Sequence, residues 1–82
     1  MAEESVESRE ERAKSSTSPE ELEKLADDKD YEVRYGVAGN NNTPVSLLEK
    51  LSEDKHEAVR QLLRLLRDSG VHNQILLMFL GL

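Results

Sequence analysis

Two pairs of oppositely charged residues share one spacing in this sequence. Asp28 precedes Arg34 by six residues, and Asp54 precedes Arg60 by the same interval. A guanidinium group can donate two parallel hydrogen bonds to one carboxylate, so arginine suits a fixed ion pair. We interpret both pairs as structural, each tying a turn to the helix that follows it. Binding of a ligand by these residues is the alternative.

The other residue types that commonly bind metals or catalyse reactions do not form a recognisable motif in this sequence. The chain has no cysteine, which excludes thiolate metal sites and cysteine nucleophiles. His56 and His72 are isolated, with no second histidine three or four residues away, so we expect no metal site. Asp27 and Asp28 precede no loop of calcium-binding spacing. With no phosphate-binding glycine loop and no nucleophile motif, we expect no cofactor and no enzymatic activity.

Three arginines at positions 60, 64 and 67 form a short basic stripe on one predicted helix. One interpretation is a solvated face paired with Glu57 or Asp68. A second is a docking patch for an acidic partner. A third is nucleic-acid binding, but three arginines on a chain of net charge −6 would make few phosphate contacts, so we expect no nucleic-acid partner.

The segment 75–80, Ile-Leu-Leu-Met-Phe-Leu, is apolar on every side of a helix. Such a helix must be buried or in contact with something. A capping helix over the preceding repeat, a self-association or partner contact, and a membrane-surface helix are the alternatives; the last lacks a basic face. The candidate partner-binding residues are Arg64, Arg67, Ile75, Met78, Phe79 and Leu80.

Length and charge bound the class of protein. With 82 residues the chain can form one domain, and the charge of −6 favours solubility or avoidance of nucleic acid. Residues 1–42 carry 12 acidic and 6 basic side chains, whereas residues 71–82 carry none. The start of the chain lacks the features of a secretory signal, and the apolar run is too short to span a membrane. We therefore expect a cytoplasmic protein with no membrane partner.

The spacing of apolar residues predicts helices and no strand. Ser18 and Thr43 each precede a proline and are expected to cap short helices with leucines at i, i+3 spacing. A second short element is predicted over about 31–38, a longer helix from about 58 to a stop at 68–70, and a last helix over about 72–80. Residues 1–16 are charged with a lone Val6 and are expected to be a disordered tail. A transient charged helix is the alternative.

An internal repeat appears when the chain is laid on itself at an offset of 26 residues. The segment Leu22-Glu23-Lys24-Leu25 falls on an identical segment at 48–51, Asp28-Lys29 falls on Asp54-Lys55, and Val33-Arg34 falls on Val59-Arg60. From 22 to 34 eight of thirteen positions are identical. A fixed period of this length indicates stacked helical repeats. The repeats are predicted at about 17–42 and 43–68.

These residues resemble the leucine-rich repeat variant family and, more loosely, HEAT repeats. The match lies in Thr43-Pro44, the Leu-x-x-Leu at 48–51, Asp54 and Val59-Arg60, and in the segment 33–40, Val-Arg-Tyr-Gly-Val-Ala-Gly-Asn. It covers residues 17–64. The resemblance implies an all-α right-handed α-α superhelix, here of two repeats with a C-terminal capping helix, and protein binding more than catalysis.

Two departures from the family's usual setting matter. A cysteine cluster domain that accompanies such repeats in one setting is not implied, because cysteine is absent. Two repeats are also fewer than the roughly three normally needed for stability. We therefore expect residues 17–82 to be a non-catalytic protein–protein interaction module. The alternative is a self-associating structural subunit, a homodimer through the apolar C-terminal helix.

Overall fold

The structure, a computed structural model, describes residues 4–69. Within this part the chain forms five α-helices and no strand, which confirms the all-α prediction. The helices are α1 (Val6–Ser15), α2 (Pro19–Leu25), α3 (Tyr31–Ala38), α4 (Val45–Leu51) and α5 (Glu57–Ser69). No helix of the described part is both long and apolar enough to cross a membrane. The predicted helix over 72–80 lies outside the described residues.

Helix α3 lies at the centre of the packing. It packs against α1 on one side and α5 on the other, so these three helices form one layer, called here the stacked layer. The two short helices bridge this layer, because α2 contacts α1 and α3, and α4 contacts α3 and α5. Each helix of the stacked layer therefore meets its neighbour both directly and through a short helix.

The core lies between the stacked layer and the two short helices. The predicted leucine stripes of α2 and α4 and the valines of α3 and α5 are buried in it, because burial of these apolar faces is the main favourable term in folding. The buried apolar residues are Ala13, Leu22, Leu25, Ala26, Val33, Val37, Ala38, Leu47, Leu48, Leu51, Val59 and Leu63.

One of the two predicted helix caps is present. The Ser18 hydroxyl accepts a hydrogen bond from the Glu21 N–H at 3.3 Å, as expected for a residue that caps α2. The prediction for Thr43 is wrong, because the residue that precedes α4 is Pro44 and makes no side-chain cap. The Thr43 hydroxyl instead donates to the Val37 carbonyl at 2.6 Å, so it closes the turn after α3.

The N-terminal segment corrects a prediction. Residues 1–16 were expected to be a disordered tail, but α1 occupies Val6–Ser15 and packs on α3. Its apolar contacts with the core are few: Ala13 is fully buried, and Val6 is partly buried against the core. The helix is also held by ion pairs and hydrogen bonds to residues far along the chain, such as Asp28 and Asn40. The pattern of apolar residues in the sequence cannot reveal contacts of this kind.

Gly36 permits the close approach of α1 and α3. A Cβ atom built at this position would lie 2.9 Å from the Ala13 Cβ and 3.3 Å from the Glu10 carbonyl oxygen. Both neighbours belong to the helix α1, and neither is the end of a flexible side chain. The alanine on one helix and the glycine on the other therefore set the distance between the first two helices of the stacked layer.

We expect Gly36→Ala to lower the free energy of unfolding by about 1–3 kcal/mol, because crowding forces α1 away from α3. Gly39→Ala is the matched control: a Cβ there meets its nearest neighbour, Leu62, at 3.7 Å, an ordinary contact. The control should be neutral or stabilising by up to about 1 kcal/mol. Urea unfolding followed by circular dichroism measures both, and equal stabilities of the two variants would contradict the prediction.

Candidate functional site

For description, we call α1 the first unit of the chain, α2 with α3 the second, and α4 with α5 the third. The most buried ion pair found among residues 4–69 joins the second unit to the third. Arg34 of α3 donates from Nε to Asp54 Oδ1 at 2.7 Å and from Nη2 to Asp54 Oδ2 at 3.2 Å. The two side chains are 7% and 8% exposed. The pair is bidentate and removed from solvent, which is the geometry in which Arg–carboxylate contacts are strong and directional.

The same contact occurs one unit earlier. Arg9 of α1 donates from Nε to Asp28 Oδ2 at 2.8 Å and from Nη2 to Asp28 Oδ1 at 3.3 Å. Its Nη2 also donates to Asp30 at 2.5 Å. In both units an arginine of the stacked layer reaches the aspartate that follows the next short helix. We call these contacts the arginine ladder.

A second hydrogen bond orients both arginines of the ladder, and Arg60 makes the equivalent bond. Arg9, Arg34 and Arg60 all donate from Nη1 to a backbone carbonyl five or six residues earlier in the chain. The acceptors are the carbonyl oxygens of Glu4 at 2.5 Å, Asp28 at 2.7 Å and Asp54 at 2.6 Å. The three arginines therefore occupy equivalent positions in three consecutive units.

The pairing differs from the one expected from sequence. Asp28 does contact Arg34, and Asp54 does contact Arg60, but through the aspartate backbone carbonyls. The carboxylates bind the arginine of the preceding unit instead. The six-residue spacing therefore corresponds to a hydrogen bond within one unit, from each arginine to an aspartate carbonyl. The ion pairs instead join one unit to the next.

Local geometry also holds the aspartates in place. Asp28 accepts from the Asp30 N–H at 3.0 Å, and Asp54 accepts from the His56 N–H at 2.8 Å. Burial by itself raises the pKa of the Asp54 carboxyl, but these hydrogen bonds and the Arg34 charge outweigh it and hold that pKa below its ordinary range. The pKa of Asp28 is lowered against its burial in the same way, by the Asp30 N–H and by Arg9.

A buried asparagine links the first unit to the second by a different route. Asn40 is 3% exposed, and its Nδ2 donates to the carbonyl oxygens of Ala13 and Ser16, both at 2.8 Å. Its Oδ1 accepts from the Asn42 N–H at 2.7 Å. The carbonyls at the end of a helix lack partners within that helix. Asn40 therefore closes the end of α1 from the turn after α3.

An aromatic contact adds to the junction between the second and third units. The rings of Tyr31 and His56 stack with centroids 3.7 Å apart and an angle of 9° between their planes. Within residues 4–69 no three His, Asp or Glu side chains are grouped so that they could hold a metal ion.

The remaining candidate residues are only partly within the described region. Arg64 is exposed on α5. The side chain of Arg67 and all of Ile75, Met78, Phe79, Leu80 and His72 lie outside what the structure describes.

The two residues that sequence reasoning missed are Arg9 and Asn40. Arg9 precedes Arg34 by 25 residues, one fewer than the repeat offset, and it lies in a segment that has no apolar stripe. A search for arginine alone at a spacing of 25 or 26 would have found it. Asn40 is the first of three consecutive asparagines. Such a run indicates a turn, but the sequence does not show which of the three is buried.

The arrangement of charges favours a structural role for the ladder. Each ladder carboxylate already accepts hydrogen bonds from a guanidinium group and from a backbone N–H. An open depression of about 320 Å³ lies beside Arg34 and Asp54, and its lining includes both acidic residues and lysines. A carboxylate with a lowered pKa and fixed partners is a poor general base near neutral pH. The geometry is that of a joint between units.

We expect Arg34→Ala to lower the free energy of unfolding by about 3–5 kcal/mol, because it leaves the buried Asp54 carboxylate without its partner. Lys50→Ala is the matched control, since Lys50 pairs with Asp27 at the surface, where the side chains are 50% and 65% exposed. The control should cost at most about 1 kcal/mol. Urea unfolding at neutral pH measures both, and similar losses in the two variants would contradict a structural role for Arg34.

The lowered pKa of Asp54 predicts a dependence of stability on pH. Its contribution is complete above the ordinary aspartate pKa of about 3.9 in the unfolded chain and is lost as the pH falls through the lower folded value. Asp54→Asn should therefore be less stable at neutral pH and lose less stability between about pH 5 and pH 2. Asp27→Asn should keep the steeper loss of the unmodified chain. Identical acid profiles for the Asp54 variant and the unmodified chain would refute the prediction.

Comparison with known proteins does not assign this geometry to a family: no family model matches the chain, and no curated protein or solved structure is significantly similar to it.

Proposed function

We propose that the chain is a non-catalytic protein–protein interaction module, built as a short right-handed superhelix of the leucine-rich repeat variant or HEAT-like kind. The observation that carries the proposal is the recurrence of one contact. Arg9 binds Asp28 as Arg34 binds Asp54, and the two arginines are 25 residues apart. A contact that repeats from unit to unit is the mark of a stacked repeat protein, and such proteins work by presenting an extended surface.

The outward side of the stacked layer supports this proposal. Tyr35 lies two residues from both Val33 and Val37, about 200° round the helix from the core. Gln61 and Leu65 are placed in the same way on α5, relative to Leu63. Tyr35 is 39% and Leu65 is 59% exposed, and tyrosine is enriched at protein interfaces.

The proposed mechanism is binding without a covalent step. Rigid units keep Tyr35, Gln61 and Leu65 at fixed spacing, so that a partner meets a surface that loses little freedom on binding. The proposed partner is another protein or a second copy of this chain, without nucleic acid or membrane, and the proposed location is the cytoplasm.

A photo-crosslinking residue at Gln61 tests the proposal. Introduced into the chain in its native cell, it should give discrete adducts of higher mass, whereas the same residue at Glu23 on α2, which is also exposed, should give few. The readout is the pattern of adducts on a denaturing gel, with the crosslinked peptides identified by mass spectrometry.

Two outcomes decide the test. Discrete adducts from Gln61 that are absent or much weaker from Glu23 would support binding by this side of the stacked layer. Equal, diffuse labelling from both positions would contradict it, because a specific partner must approach one side of the layer.

A further inference from the structure

The equivalent arginines Arg9, Arg34 and Arg60 differ in the type of residue that lies four positions after them. The residue four positions after Arg9 is Ala13, and the residue four positions after Arg34 is Ala38; both alanines are fully buried. The residue four positions after Arg60 is Arg64, which is exposed. Residues four apart share one face of a helix. In α1 and α3 this face is covered by the next unit, and in α5 it carries two arginines.

The geometry of α5 places both arginines away from α3. Leu62 lies nearest the Gly39 position of α3, so it marks the side of α5 that faces the stacked layer. Arg60 and Arg64 are each two residues from Leu62, about 200° round the helix. We call the surface that they form the basic face. Among the described residues the only acceptor recorded for Arg60 is the Asp54 carbonyl, whereas Arg9 and Arg34 each bind a carboxylate as well.

An arginine in place of the small residue changes what can pack there. Ala13 lets α3 approach closely, as the contact at the Gly36 position shows. Arg64 prevents an equally close helix and would leave a charge without a partner if an apolar surface covered it. Carboxylates are the groups that this face is suited to accept.

The opposite end of the stacked layer carries such carboxylates. Glu11 lies two residues from Ala13, about 200° round α1, and therefore faces away from α3. Glu7 is four residues before Glu11, on the same side of α1, and both are exposed. Glu4 is also exposed and immediately precedes Ser5, the residue that caps the start of α1. Nearby, Arg12 bonds Glu4 and Glu21, and through the latter it is held toward α2. We call Glu4, Glu7 and Glu11 the acidic face.

We propose that the acidic face of a second copy of this chain docks on the basic face, so that copies associate head to tail. This inference rests on the proposed function and names its partner. Glu4 also stands where the ladder predicts an acceptor: its carbonyl accepts from Arg9 as the Asp28 carbonyl accepts from Arg34. The intermolecular pairs would continue the intramolecular ladder from Arg60 and Arg64 of one copy to α1 of the next.

The association is weak and depends on salt, because its charges are at the surface. At about 10 mM ionic strength the Debye length is about 30 Å, and at about 150 mM it is about 8 Å. A head-to-tail interface uses two different surfaces, so an open assembly of any size keeps one unoccupied basic face at one end and one unoccupied acidic face at the other. Mass should therefore rise continuously with concentration and fall on addition of salt.

Sedimentation velocity of the full chain at low salt tests the inference. Arg64→Glu and Glu11→Lys should each lower the association constant at least about tenfold, because each turns an attraction into a repulsion. Lys24→Glu and Glu23→Lys are the matched controls: they make the same charge changes at exposed positions on α2 and should associate as the unmodified chain does.

Mixing the two variants gives the decisive measurement. The Arg64→Glu variant keeps a normal acidic face, and the Glu11→Lys variant keeps a normal basic face. An equimolar mixture should therefore associate through these two normal faces, although neither variant associates alone. A chain that stays monomeric at low salt, a mixture that does not associate, or controls that weaken association as much as the test variants would each overturn the inference.

The failure of this inference can be told from the failure of the proposed function. If the purified chain stays monomeric but the crosslinker at Gln61 gives adducts with a different protein, head-to-tail association is excluded and the binding role stands. If neither experiment yields a specific contact, both are wrong.

Discussion

The guanidinium group of Arg34 is the constraint on which the stack depends. It is held between the backbone carbonyl of its own unit, at Asp28, and the carboxylate of the next unit, at Asp54. Because the Arg34 and Asp54 side chains are only 7% and 8% exposed, water cannot replace the arginine beside this carboxylate at low cost. The side chain therefore helps to fix the distance and register between the second and third units, in addition to the apolar core that they share, and Arg9 acts in the same way at the preceding junction.

The parts of the fold that sequence predicts are those stabilised by local pattern. The Leu-x-x-Leu spacing at 22–25 and 48–51 places both short helices, and the element predicted at 31–38 forms with those bounds. The Asp–Arg spacing likewise identifies residues that do form buried contacts. In each case the signal and the stabilising contact lie within about one turn or one unit of chain, so periodicity records them.

The parts that sequence does not predict depend on partners far along the chain. Helix α1 has almost no apolar stripe, and its place is set by Arg9 with Asp28, 19 residues away, and by Asn40 with Ala13, 27 residues away. The same reason explains why the carboxylate partner of Arg34 was missed. A spacing shows that two residues recur together, but whether they meet within a unit or across a junction depends on how the units stack.

The arginine ladder runs in one direction along the chain. At each junction the arginine belongs to the earlier unit and the carboxylate to the later one, so the stack has a polarity and its two ends differ in chemistry. A symmetric contact of the basic face with itself would bring Arg60 and Arg64 against their own copies, and like charges that are brought together disfavour association. A symmetric contact of the acidic face has the same defect. If copies of the chain associate as proposed, the polarity within each chain therefore favours contact between unlike ends over contact between like ends.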